Sequence, residues 1–314
     1  MKRAFVFPGQ GSQAAGMGRA LAEAFSPARR LFEEVDDALS RHLSRLMFEG
    51  PEEELTLTEN AQPALMAASL AVIRTLEEEG GVELSRAVAF VAGHSLGEYS
   101  ALAAVHAFKV ADAARLLRRR GEAMQKAVPV GEGAMAAFIG LDLEAARALA
   151  EEASGGGLVC AVANDNAPGQ IVLSGHAGAV DRAVALGPGR GARRAIRLPV
   201  SAPFHSPLMA PAAAEMAEAL AESPPARPLL PLLANVTAAP ESEPQRIVEN
   251  LVEQTTTMVR WRETILFMKE KEIEEVVEIG AGRVLSGLTK RIDRELAARS
   301  VGTPEEVEAL LKSL

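Results

Sequence analysis

Cysteine is almost missing from this chain of 314 residues: Cys160 stands alone. No intramolecular disulfide is therefore possible, and a reducing compartment is expected. Positive charge is in deficit, with 33 Lys and Arg against 42 Asp and Glu and a net charge of −9. That excludes the dominant basic surface of a general nucleic-acid binder, and an acidic partner would need a local basic patch. No uncharged apolar stretch is long enough to span a bilayer. The apolar run at residues 4–7 stops at Pro8-Gly9, too soon for a signal-peptide core, so a cytoplasmic protein is expected. No Cys/His cluster has metal-ligand spacing, so no metal site is expected. Aromatic residues make up only 4%. What is present is apolar material, 48% of the chain, enough for a substantial core and against disorder.

Short apolar runs at 4–7, 87–92 and 275–279 read as buried strands, and 229–234 is strand-like. Helical patterning covers 15–25, 27–39, 60–79, 110–128, 209–221, 244–252 and 261–271. Alternating strands and helices predict an α/β fold with a mainly parallel sheet covered on both faces. The pattern changes near Pro129. From there the order is strand 134–139, helix 143–153, strands 159–163 and 170–174, helix 177–186 and strand 192–197. This βαββαβ order is the split βαβ, ferredoxin-like unit. We expect a small inserted domain at 129–198 and a large domain from 1–128 and 199–314.

Gly93-His94-Ser95-Leu96-Gly97 lies between the second strand and an Ala-rich helix. Gly-x-Ser-x-Gly in that context is a nucleophile elbow: the glycines permit a sharp turn, and the serine stands at the strand's carboxyl end. The N–H of Leu96 then points into the same space and can stabilise an oxyanion. A Gly-rich helix start with a capping serine is the plainer alternative.

A serine hydroxyl needs a base. Of five histidines, His42 lies among charges, His106 ends a helix, His176 sits in a turn, and His94 adjoins the serine and points away from it. His205 is in a Pro-rich loop, 199–207, after the serine, as in α/β hydrolases. Asp165 and Asp181 have the chain order of a triad acid, but both fall in the expected insertion. The loop Pro8-Gly9-Gln10-Gly11 can approach a ligand closely. It lacks the Gly-Lys-Ser/Thr ending of a phosphate cradle.

Phe7-Pro8-Gly9-Gln10-Gly11-Ser12-Gln13, Gly93 to Tyr99 (Gly-His-Ser-Leu-Gly-Glu-Tyr), Asn166-Ala167-Pro168-Gly169-Gln170 and Phe204-His205-Ser206 occur in that order. Together they resemble the malonyl-CoA:acyl carrier protein transacylase family, essentially end to end. The resemblance implies an α/β-hydrolase-like domain with a ferredoxin-like insertion. It implies a Ser95–His205 dyad whose imidazole is oriented by the backbone carbonyl of Gln254. The Gln10 N–H becomes the second oxyanion donor beside Leu96. Arg120, directly before Gly121 in the run Arg118-Arg119-Arg120, becomes the clamp for the malonyl carboxylate. Phe204 resembles malonyl-selective members, and Asn166 is expected near the cleft between domains, although Asn164 and Asn166 on their own read as turn residues.

The family's substrates are malonyl-CoA and the phosphopantetheine thiol of acyl carrier protein, with no cofactor bound by the chain itself. The carrier is acidic as a class. Arg190, Arg193, Arg194 and Arg197 form one candidate docking patch and Lys290-Arg291 another. No nucleic acid or membrane partner is expected, and a monomer is. A serine hydrolase, a non-catalytic carrier-binding protein, and the same acyltransferase in a polyketide pathway are the alternatives.

Overall fold

The computed structural model describes residues 1–200 and 202–314. Ser201, within the loop read at 199–207, lies outside the described residues. The strands in chain order are β1 (Arg3–Phe7), β2 (Phe90–Gly93), β3 (Gly133–Ile139), β4 (Cys160–Ala167), β5 (Gln170–His176), β6 (Arg194–Arg197), β7 (Leu232–Leu233), β8 (Pro240–Glu241), β9 (Glu275–Ile279) and β10 (Ala297–Val301).

They form two sheets. The larger runs β10-β9-β1-β2-β7-β8 and is parallel except for the β7–β8 pair. β1 is central and buried along its whole length. Helices cover both faces, so its sequence is a continuous apolar run rather than an alternation. The helix Thr58–Glu78, buried almost throughout, packs against Ser26–Leu39 and Val110–Lys126 on one face. Trp261, Ile265, Leu285 and Leu288 fill the other face.

The smaller sheet runs β4-β5-β3-β6 and is antiparallel. Its core is Phe138, Leu149, Ile171, Leu173 and Val180, with helices Leu143–Ala153 and Ala177–Leu186 on it. Strand order and connections are those of the split βαβ unit. β4 of the smaller sheet bonds to Val259, just before the helix Trp261–Glu270 of the larger unit. Val259 N–H donates to Ala163 O at 2.9 Å, and Asp165 N–H donates to Val259 O at 3.0 Å.

Several elements differ from the sequence reading. The 15–25 helix begins only at Arg19, because Gly16 and Gly18 take left-handed φ of 96° and 81°. Residues 84–87 close a helical turn, with Val88 N–H on Leu84 O, so β2 starts at Phe90 rather than 87. The 229–234 run pairs only at Leu232–Leu233, since Pro231 has no N–H to offer a ladder. Asn164 and Asn166 lie in β4, not in a turn, because the strand continues to Ala167 across two irregularities. β9 is not the last strand. β10 follows at the edge, and its mostly half-exposed residues hid it from an apolar-run criterion. The helices Leu43–Glu49, Glu52–Thr56, Val284–Ile292 and Pro304–Leu311 were not anticipated. Among the described residues, no helix is long and apolar enough to cross a membrane.

Candidate active site

The register of the large sheet gathers the site. Phe7 at the end of β1 lies beside Gly93 at the end of β2. The Gly9–Gln10 loop and the Ser95 turn therefore leave the sheet side by side, at the carboxyl ends where α/β folds bind ligands. β7 flanks β2 on the other side, with Leu233 opposite Ala92. Asn235, two residues on, thus arrives next to Ser95.

Ser95 has φ of +55°, a left-handed conformation uncommon for a serine. The turn is too tight for side chains at its ends. A methyl on Gly93 would overlap the Gly97 backbone, and one on Gly97 would overlap the Phe7 carbonyl. The Ser95 N–H donates to Asn235 Oδ1 at 2.8 Å, and Asn235 Nδ2 donates to Gly93 O at 2.7 Å. Gln254 Nε2 donates to Ser95 O at 2.9 Å.

Ser95 Oγ lies 2.8 Å from His205 Nε2, and His205 Nδ1 lies 2.8 Å from Gln254 O. A carbonyl only accepts, so Nδ1 carries the proton and Nε2 is left to receive the serine's. Burial, then the Arg120 charge, pushes the His205 pKa down to about 3. The imidazole is therefore neutral at physiological pH, with Nε2 open to accept. Among the described residues no carboxylate stands behind it: Asp165 is paired with Arg262 at 2.8 Å and Asp181 with Arg197 at 2.6 Å.

Arg120 is 1% exposed. Its guanidinium donates to Gln62 Oε1 at 2.9 Å, Gln254 Oε1 at 2.8 Å and Ser95 Oγ at 3.1 Å, and lies 5.7 Å from the Tyr99 ring centre. All three acceptors are uncharged, and among the described residues no carboxylate forms an ion pair with it. A buried arginine left so is poised for an anion, since a buried charge is costly without a partner. Its neighbours in the run behave differently. Arg118 pairs with Glu59 and Glu122, and Arg119 with Glu215 and Glu222.

Among the described residues, the backbone N–H groups of Gln10 and Leu96 have no acceptor within the chain. The Leu96 N–H opens the helix Gly97–Ala104, where the dipole favours negative charge. The Gln10 side chain reaches Thr58 Oγ1 at 3.4 Å. Phe204 is buried with Met124, Val128 and Met209. Asn166 does reach the elbow: its Oδ1 lies 2.9 Å from His94 Nε2. Burial holds the His94 pKa below its usual value, so a neutral ring donates to the amide oxygen.

Sequence reasoning passed over Gln62, which carries Arg120, and Asn235. Glu98 is buried, accepts from Asn235 N–H at 2.7 Å and from Gln254 Nε2, and burial pushes its pKa up to about 8. The one available signal for Asn235 was a polar residue directly ending the 229–234 apolar run.

Arg193, Arg194, Lys290 and Arg291 lie outside this site and are exposed. Arg193, Arg194 and Arg291 converge nonetheless. Ile139 pairs with both Gln170 and Arg194, Arg193 N–H donates to Ile139 O at 2.7 Å, and Arg291 donates to Gln170 Oε1 at 3.0 Å. Arg190 and Arg197 are instead engaged by Glu152 and Asp181.

The family described as acyl transferase domain matches residues 4–303. The malonyl CoA-acyl carrier protein transacylase of Bacillus subtilis is 46% identical, over 100% of this chain and 97% of its own length. The crystal structure of an acyl-carrier-protein S-malonyltransferase from Bartonella henselae aligns with a TM-score of 0.97 and 56% identity, covering 100% of this chain and 99% of that one. A malonyl-transacylase solved in complex with a type II polyketide acyl-carrier protein aligns with a TM-score of 0.96 and 42% identity, covering 100% of both chains. The chain therefore belongs to the malonyl CoA-acyl carrier protein transacylase family of acyl transferases.

Proposed function

We propose that the protein moves the malonyl group from malonyl-CoA to the phosphopantetheine thiol of acyl carrier protein, through a malonyl ester on Ser95, and so supplies fatty-acid chain elongation. The observation that carries this reading is the buried Arg120 guanidinium, 3.1 Å from the nucleophile and in no ion pair with a carboxylate among the described residues. A planar guanidinium binds a carboxylate bidentately. It therefore favours a dicarboxylic acyl group over an acetyl group, whose methyl offers it nothing.

In the first half-reaction His205 Nε2 takes the Ser95 proton as Oγ attacks the thioester carbonyl. The N–H groups of Gln10 and Leu96 hold the oxyanion. As the tetrahedral intermediate collapses the C–S bond breaks, and the proton on His205 passes to the departing coenzyme A sulfur. Arg120 retains the malonyl carboxylate. In the second half the carrier thiol gives its proton to His205 and attacks the ester, and the proton returns to Ser95 Oγ. Gln254 O holds the imidazole throughout, in place of a triad acid. Phe204 lines the acyl side of the site, and the His94–Asn166 pair joins the elbow to the small unit. The large unit is 1–128 with 199–314, the small one 129–198. The dyad and the clamp come from one chain, so a monomer suffices, in the cytoplasm and with no bound cofactor.

The carrier docks on the patch formed by Arg193, Arg194, Lys290 and Arg291. Reversing charge at Arg193 and Arg194 should raise the KM for carrier and leave the acylation rate with malonyl-CoA alone unchanged. A polyketide carrier presents the same thiol, and the relative solved with such a carrier supports that second reading. Initial-rate kinetics with malonyl-CoA and holo-carrier test the scheme. Parallel double-reciprocal lines are expected; intersecting lines would mean direct transfer without an acyl-enzyme.

A further inference from the structure

The elbow stores strain. A non-glycine residue in a left-handed conformation is strained and persists only when its surroundings over-determine it. Three side-chain hydrogen bonds do so here. The two ends of the Asn235 amide are both used, and they bracket His94, the residue before the nucleophile: Oδ1 accepts from Ser95 N–H at 2.8 Å, and Nδ2 donates to Gly93 O at 2.7 Å. The Gln254 amide takes the third group, the Ser95 carbonyl, at 2.9 Å. That carbonyl belongs to the same peptide plane as the Leu96 N–H. Whatever orients Ser95 O therefore orients the oxyanion donor. Asn235 and Gln254 are fully buried and are tied to each other through the Glu98 carboxyl, which accepts from Asn235 N–H at 2.7 Å and from Gln254 Nε2.

We propose that Asn235 is a positioning residue of the reaction: its side-chain amide, with that of Gln254, clips the peptide groups on both sides of Ser95 and so fixes the aim of Oγ and of the Leu96 N–H. Asn235 does not touch substrate. It acts through the backbone of the nucleophile. Asparagine is required because one side chain must accept from an N–H and donate to a carbonyl on opposite sides of one residue. Aspartate does this only while protonated. Leucine or alanine does neither.

This inference rests on the proposed Ser95 chemistry, and the experiment separates the two. Asn235→Ala and Asn235→Asp are prepared with the unaltered enzyme. Malonyl-Ser95 formation from malonyl-CoA is followed by rapid quench between pH 6 and 9, with the melting temperature recorded at each pH. A misaimed nucleophile loses rate by about 10²-fold. Asn235→Ala is expected to lose that in the acylation rate constant, with KM for malonyl-CoA changed less than about threefold. Asn235→Asp, close to asparagine in volume, carries the test should the alanine variant not fold. Its acylation rate should fall as pH rises and the carboxyl ionises, at pH values where it remains folded and the unaltered enzyme's rate does not fall. A folded Asn235→Ala, or a folded Asn235→Asp whose pH-dependent melting shows the carboxyl ionised within this range, that acylates within about threefold of the unaltered enzyme would overturn the positioning role while leaving the Ser95 chemistry intact. Absence of malonyl-Ser95 in the unaltered enzyme overturns the underlying reading instead.

Discussion

Replacing Arg120 by methionine exposes how the site chooses its acyl group. The guanidinium is 1% exposed and donates to Gln62, Gln254 and Ser95, all neutral acceptors. A malonyl carboxylate brought there in the variant meets no counter-charge and little water. Removing one partner of a buried, hydrogen-bonded charge pair costs about 2–5 kcal/mol, which is roughly 30- to 5,000-fold in kcat/KM. An acetyl thioester has no carboxylate to strand, so its kcat/KM should change by less than about tenfold. The ratio of the two substrates therefore collapses in the variant. Arg120 charge also helps to hold the His205 pKa low, so its loss raises the pH at which the base becomes protonated. The assay is acyl-enzyme formation from malonyl-CoA and acetyl-CoA in parallel, over pH 5 to 8. Equal loss with both thioesters would refute the clamp and leave Arg120 a general support of the site.

Other outcomes follow from the same geometry. With His205 pushed down to about 3, its imidazole stays neutral on acidification. The acylation rate should therefore show no inflection near 6.5 between pH 5 and 8, and a single-proton fall centred there would contradict the buried base. Glu98, pushed up to about 8, binds a proton in the folded state that an unfolded chain has released. Stability should fall as pH rises from about 4.5 towards 8, by up to about 1.4 kcal/mol per unit, and level off above. Glu98→Gln should flatten that slope in chemical denaturation series; an unchanged slope rejects the assignment. Gly97→Ala places a methyl against the Phe7 and Pro8 carbonyls. It should cost more than about 3 kcal/mol in the same measurement, and a loss under about 1 kcal/mol would mean that the elbow yields.

The parts of this architecture legible in the sequence are those that local sterics or a long period impose. Gly93 and Gly97 announce the elbow because no larger residue fits the turn, and the βαββαβ order at 133–197 could be read from alternating patterns alone. Helices Leu143–Ala153 and Ala177–Leu186 fall where their patterning placed them. The edge strand β10 was missed because half-exposed residues carry no apolar run, and Asn166 was placed in a turn because Pro168 masked the end of β4. Around the nucleophile, Asn235 was invisible for a different reason. It stands 140 positions from Ser95 and reaches it only because β7 pairs with β2. Gln62 likewise meets Arg120 through the packing of two helices. Residue type and spacing say nothing about such pairings. The role proposed for Arg120 came from resemblance, and its burial, with no ion-paired carboxylate among the described residues, supplies a physical reason for it.

The central claim is that Ser95 carries a malonyl group and gives it to a carrier thiol rather than to water. Intact-protein mass spectrometry after mixing with malonyl-CoA tests it directly, with and without holo-carrier. The account predicts one malonyl adduct, mapped to Ser95 and absent in Ser95→Ala, that persists in buffer and discharges when carrier is added. No adduct, or an adduct lost to water equally fast without carrier, would contradict it.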